Sequence, residues 1–235
     1  MFNFKQFSVE DSSSPMKVGT DGVLLGAWCP TKENVSILDI GTGCGVISLM
    51  LAQRINNATI KAIDIDKGAI ENAKQNFELS KWNDKLTAIE CPIQLFSQIT
   101  SEKFDIIVSN PPFFVESLKS NKKHRNLARH TDSLPFEALI ENVSYLIKDD
   151  GIFACILPYN EGYRFIDIAN KHNLFCSNII HIANKPSHTV KRILFVLSKT
   201  ESYTMDTPTL FIRNEDNTYS KEYLELTKDF YTFIQ

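Results

Sequence analysis

From about residue 36 the sequence alternates between short β-rich runs and longer segments with helical periodicity, and this alternation narrows the choice of fold more than any other feature. "SILDI" (36–40) leads into "VISLMLAQRI" (46–55), and "TIKAID" (59–64) leads into the amphipathic "KGAIENAKQNFELSK" (67–81). "LTAIEC" (86–91) and "FDIIVS" (104–109) read as strands, and "PFEALIENVSYLI" (135–147) as a helix with proline in its first turn. "GIFACILP" (151–158) is another strand and "EGYRFIDIANKH" another helix. The late runs "FCSNIIHIA" and "RILFVLSK" read as a terminal antiparallel pair. Such alternation implies an α/β, doubly wound, mostly parallel seven-stranded sheet with an antiparallel terminal strand and helices on both faces. The C-terminal "YSKEYLELTKDFYTFI" reads as a helix whose aromatic stripe packs onto the body.

The 235 residues fit one domain with additions, and 43% hydrophobic against 23% charged residues supply a full core. No window approaches the roughly 18 apolar residues of a membrane span. The N-terminus shows no basic region followed by an apolar one, so a cytoplasmic protein is expected. Cys29, Cys44, Cys91, Cys155 and Cys176 lack disulfide or Cys/His ligand spacing, so they read as core residues and no metal site is expected. A net charge of −3 argues against coating nucleic acid through bulk charge, while allowing a local basic patch.

Ligands of such sheets bind beyond the C-terminal strand ends. "LDIGTGCG" (38–45) places Asp39, Gly41, Gly43 and Gly45 on the first strand-to-helix turn, where glycines allow a close approach to the backbone. Alone, that pattern serves a nicotinamide cofactor or a simple tight turn equally well. Asp64 follows Gly45 by 19 positions, where a carboxylate accepts from both ribose hydroxyls. Asp39 suits a cation better than a phosphate. An adenosine with a cationic amino-acid tail meets both demands, and S-adenosylmethionine is one. Asp66 reads as the cap of the following helix.

The second motif, "NPPF", follows the fourth strand. A planar conjugated NH2 is a poor nucleophile, because its lone pair is delocalised. The side-chain oxygen of Asn110 and the carbonyl of Pro111 can accept its two hydrogens and orient that lone pair. Pro111 and Pro112 stiffen the backbone, and Phe113 offers a ring face for stacking. Phe114 reads as packing.

The glycine turn, Asp64 and NPPF together resemble the class I S-adenosylmethionine-dependent methyltransferases, which have a Rossmann-like fold, over about residues 35–198. That resemblance implies a cofactor site of Asp39, Gly41, Gly43, Gly45, Asp64, Ile65, Glu90 and Asn110, with catalysis by Asn110, Pro111, Pro112 and Phe113. Pro92 stands where the family often has an acidic residue facing the adenine, and Glu90 is the candidate substitute. "MKVGTDGVLLGAW" (16–28), "LARHTDSLPFEALI" (127–140), "NKPSHTVKRILF" and "YSKEYLELTKDFY" resemble the bacterial tRNA (adenine-N6)-methyltransferases, which modify adenine-37 beside the anticodon of a valine tRNA. The alternatives are protein glutamine-N5 and rRNA guanine-N2 methyltransferases. The former carry a helical domain first, and only about 35 residues precede the glycine turn here; the latter often carry a second, duplicated domain.

An RNA partner agrees with Lys119, Lys122, Lys123, Arg125 and Arg129, and with Lys185, His188, Lys191 and Arg192, as phosphate contacts; both groups also read as solvated surface charge. Lys17, Thr20 and Asp21 close over the cofactor or cap a helix at Thr20. His130 reads as structural. The expected division is an N-terminal extension over the cofactor site (1–34), a catalytic core (35–198) and a C-terminal strand and helix (199–235). A monomer is favoured.

Overall fold

The computed structural model describes residues 1–14, 16–112, 134–201 and 205–234. A hairpin of β1 (Phe2–Asn3) and β2 (Ser8–Val9) precedes helix α1 (Thr20–Trp28). Alternation then runs β3 (Val35–Ile40), α2 (Val46–Arg54), β4 (Ala58–Asp64), α3 (Lys67–Glu78), β5 (Leu86–Glu90), α4 (Ile93–Ile99) and β6 (Phe104–Ser109). It continues with α5 (Phe136–Leu146), β7 (Ile147–Pro158), α6 (Tyr159–Lys171), β8 (Phe175–Ala183) and β9 (Arg192–Ser198). Two short strands, β10 (Met205–Asp206) and β11 (Leu210–Phe211), and helix α7 (Lys221–Thr227) complete the described elements.

The main sheet has the order β10-β8-β9-β7-β6-β3-β4-β5, with β11 also on β8. Its seven central strands are the expected ones, and β9 lies antiparallel between β7 and β8. The seven-stranded expectation gains two strands: β10 and β11 pair parallel with β8 and cover its outer edge.

Strand side chains alternate between two buried layers. Ile37, Ile106 and Ala154 join α1, α2, α3 and α7 on one face, while Leu38, Ile107 and Phe153 join α4, α5 and α6 on the other. Burial on both faces explains why these strands read as continuous apolar runs. All five cysteines are buried and free.

Three local expectations change. The segment after Cys91 holds α4, with Pro92 in extended backbone at its N-cap; its seven residues are too few for a periodic signal. β7 begins at Ile147, four residues before "GIFACILP", because a register shift against β6 absorbs the polar "KDDG". The C-terminal helix stops at Thr227, and the chain turns so that Phe230 and Tyr231 fold back into the core. Its aromatic stripe still packs on the body. Tyr231 bridges to Phe4, and Phe4 stacks on Phe7 at 4.6 Å, which joins the two chain ends.

Candidate active site

β3 to β8 all run in one direction, so the turns after β3, β4, β5 and β6 and the 184–191 loop after β8 share one sheet edge. Gly41, Gly43 and Gly45 all have positive φ. A side chain at Gly41 would meet nothing within 4 Å, so this backbone faces open space. At Gly45, in contrast, a Cβ would stand 2.4 Å from the Phe77 ring, so glycine lets α3 press against the turn.

Asp64 ends β4 half-buried and fixed. Gly43 N–H donates to its Oδ2 and Asp66 N–H to its Oδ1, each at 2.9 Å. A carboxylate has about four acceptor positions, so capacity for two hydroxyls remains. Asp66 caps α3 by accepting from Ala69 N–H at 2.7 Å. Ile65 is 61% exposed beside this carboxylate. Glu90 pairs with Asp64 across β4 and β5 and is exposed. Pro92 follows it without an N–H to offer.

Asp39 lies fully buried on the α2 side of β3. Its Oδ2 accepts from Thr42 and Ser48 hydroxyls, both at 2.7 Å. Its Oδ1 has no hydrogen-bond partner among the described residues. Burial pushes the carboxyl up to about 6, against the opposing pull of the Ser48 and Thr42 hydroxyls, and the nearby Asp64 charge adds to the rise. Sequence reasoning found Asp39 and missed its two partners. The buried Ser14 hydroxyl, also without a partner there, lies 3.7 Å from where a Gly43 Cβ would stand.

The N-terminal segment reaches this turn through α3. Asn76 accepts from Glu10 N–H and donates to the carbonyls of Glu10 and Cys44, all at 2.8 Å, and Asn72 accepts from Ser13 N–H at 3.0 Å. Two asparagines four residues apart on the inner face of α3 were the available signal. Lys17 donates to the carbonyls of Asp11 and Ser12 and so holds the same segment. Gly19 is the N-cap of α1, without a side-chain bond, and Thr20 is the exposed first helical residue. The capping alternative for Thr20 is therefore not realised.

β3 and β6 pair up to Ile40 and Ser109, and Ser109 donates to the Ile40 carbonyl at 2.9 Å. Gly41 and Asn110 consequently leave the sheet side by side. Asn110 is half-buried, Pro111 buried and Pro112 exposed. Phe113, Phe114, Lys119, Lys122, Lys123, Arg125, Arg129 and His130 lie outside the described residues.

On the far side of Asn110, the 184–191 loop carries Lys185, His188 and Lys191 on the same edge. Lys185 donates to the Glu215 carbonyl at 3.2 Å, and the Glu215 carboxylate accepts from Ser187. Arg192 forms an ion pair with Asp21 of α1 at 2.9 Å, so its charge is partly met within the chain.

Residues 15–134 match the methyltransferase small domain family. The chain is 44% identical to the tRNA1(Val) (adenine(37)-N6)-methyltransferase of Flavobacterium psychrophilum, over 98% of this chain and 99% of that one. The chain belongs to this methyltransferase family. The protein of the same name from Phocaeicola vulgatus is also 44% identical, over 98% and 97% of the two chains. A solved structure described as a predicted O-methyltransferase from Agrobacterium tumefaciens superposes with a TM-score of 0.72, covering 89% of this chain and 96% of that one. Its 16% identity speaks for the fold alone.

Proposed function

We propose that this chain transfers the methyl group of S-adenosylmethionine to N6 of adenine-37 in the anticodon loop of a valine tRNA, in the cytoplasm. The observation that carries the reading is Asn110-Pro111-Pro112 leaving the sheet beside the glycine turn, in a chain 40–44% identical end to end to relatives named for that reaction.

The residues present fit this cofactor. Asp39 has a buried oxygen without a partner among the described residues and a burial-raised pKa, both of which a nearby cation would relieve. Asp64 is held by two backbone N–H groups with acceptor capacity left for a ribose, and Gly41 leaves its backbone open. Ile65 offers an apolar surface to a purine, Glu90 stands at the next strand end, and Lys17 and Thr20 belong to the segment bordering the turn. S-adenosylmethionine, when bound, supplies a methyl group activated by its sulfonium.

In this reading the chain's own residues supply orientation. Asn110 Oδ1 and the Pro111 carbonyl accept the two hydrogens of the adenine amine, which turns its lone pair out of conjugation. Both are fixed dipoles aimed at the positive charge that develops on nitrogen, and they need no reorganisation as it forms. Pro111 and Pro112 restrict the backbone that carries them, and Phe113 stacks on the ring. Positioning supplies the acceleration, and the spare proton leaves to solvent. Lys119, Lys122, Lys123, Arg125, Arg129, Lys185, Lys191 and Arg192 meet the RNA backbone, making binding salt-dependent. The 235 residues act as one domain, with 1–34 over the cofactor side and 199–235 closing the outer face.

The test is incubation with methyl-labelled cofactor and tRNA lacking the modification, followed by nucleoside analysis. N6-methyladenosine at position 37 is expected. Label in protein, or in guanine, would sink the assignment.

A further inference from the structure

Helix α6 starts at the functional edge, directly after Pro158 of β7, and its two faces are used differently. Phe165, Ile166 and Ala169 are buried in the core. Gly162 is pressed so close to β9 that a Cβ there would lie 2.3 Å from Ile193, which fixes the height of the helix. Tyr159 and Tyr163, one turn apart, are left 40% and 37% exposed. They gather His181 from β8 into one group. The tyrosine rings stand 5.1 Å apart, Tyr163 stacks on His181 at 6.2 Å, and Tyr163 Oη bonds His181 Nε2 at 2.9 Å.

A single exposed aromatic needs no explanation, but two exposed tyrosines packed against a half-buried histidine at the sheet edge are a different matter. Basic residues lie beside them, in a loop whose Ser187 is held by the Glu215 carboxylate. Tyr159 N–H donates to the Lys191 carbonyl at 3.2 Å, so the tyrosine adjoins the loop with Lys185, His188 and exposed Lys191. Glu161, two residues along the helix, points away from the Tyr159–Tyr163 face, and Asp167 lies a turn further from the edge. Register also sets the reach. Ser109 pairs with Cys155, so Tyr159 lies about three residues beyond the level of Asn110 on the adjacent strand, roughly 11 Å away.

We propose that Tyr159, Tyr163 and His181 form a stacking shelf for an unpaired RNA nucleotide that flanks the target base. This rests on RNA being the substrate, as proposed above, and adds a subsite to it. Aromatic faces tolerate any base, and flanking lysines hold its phosphate. A nucleotide anchored there pulls the loop open, so that its neighbour is presented at Asn110.

The test compares wild-type protein with Tyr159→Ala/Tyr163→Ala, Tyr159→Leu/Tyr163→Leu and Tyr159→Phe/Tyr163→Phe pairs on an anticodon stem-loop RNA. The Ala pair should raise KM for RNA about 5- to 100-fold, with kcat and cofactor affinity within about twofold. The Leu pair keeps apolar volume without a ring and should follow it, while the Phe pair should restore binding. An abasic nucleotide on one side of the target should cost the wild type a similar factor and the Ala pair nothing more. If RNA is methylated with unchanged KM in the Ala and Leu pairs, the shelf is wrong and the function stands. Should the Ala pair lose thermal stability, the Leu pair alone decides. If wild-type protein methylates no RNA, both readings fall.

Discussion

Asp39 and Asp105 are buried carboxylates on neighbouring strands, at opposite ends of one sheet, and their surroundings differ sharply. At the lower edge, burial alone would push Asp105 up, but the Lys148 ammonium at 2.7 Å and the Ser36 N–H and hydroxyl at 2.9 Å outweigh it. Lys32 adds a second cation at 3.5 Å. The Asp105 carboxyl is held well below the usual carboxylate range. Among the described residues Asp39 receives two hydroxyls and no cation and keeps one oxygen without a partner, and it is pushed up to about 6. One end of the sheet satisfies its charge within the chain. The other leaves it incomplete among the described residues, which suits the cationic cofactor proposed above.

The comparison breaks first at Asn110. Asn110→Ala should lower kcat by about 10³-fold while cofactor affinity, measured by calorimetry, stays within about twofold. Retained turnover would take the chemistry away from this edge.

Asp105→Ala should cost about 2 kcal/mol in chemical denaturation; a fully buried pair would cost about 3–5, and partial exposure of Lys148 discounts it. Cofactor affinity should not change. A variant as stable as the wild type would show that the lower-edge network is ornamental.

Asp39→Asn should do the converse. It should weaken cofactor binding by about tenfold through loss of a charge-assisted contact. Equal affinity in titration would remove Asp39 from the cofactor site.

Smallest is the pH effect. Asp39's folded pKa is raised from 3.8 to about 6, so its contribution to stability is fully present below about 4 and is lost as pH rises through about 6. Moving the cofactor-free protein from pH 7 to pH 5 should therefore add about 1 kcal/mol relative to Asp39→Asn in the same buffers. Asp105, with a depressed pKa, works the other way: its contribution is present above the usual carboxylate pKa and is lost as pH falls further. Parallel pH profiles for wild type and Asp39→Asn would contradict the raised pKa.

Much of this architecture was legible because it is local. The short β-rich runs of β3 to β6, the period near 3.6 in α2 and α3, the glycines of 41–45 and the Asp66 cap each depend on residues within a turn or two. Asp64 and Asn110 were found because strand ends in a parallel sheet share an edge. The two-residue strands β1, β2, β10 and β11 carry no periodic signal, and β10 and β11 form because β8 offers them an edge.

The sequence by itself therefore determined the α/β alternation, the turn chemistry and the acidic and amide groups of the edge. Only the tertiary structure decided what those groups meet. Ser48 turns toward Asp39 when α2 packs on β3, and Asn72 and Asn76 hold a segment some sixty residues earlier in the chain. Arg192 finds Asp21 across 171 residues, and Tyr159 and Tyr163 join His181 when α6 settles on β8. Such contacts depend on how layers stack, and no spacing along the chain encodes a partner brought near only by packing.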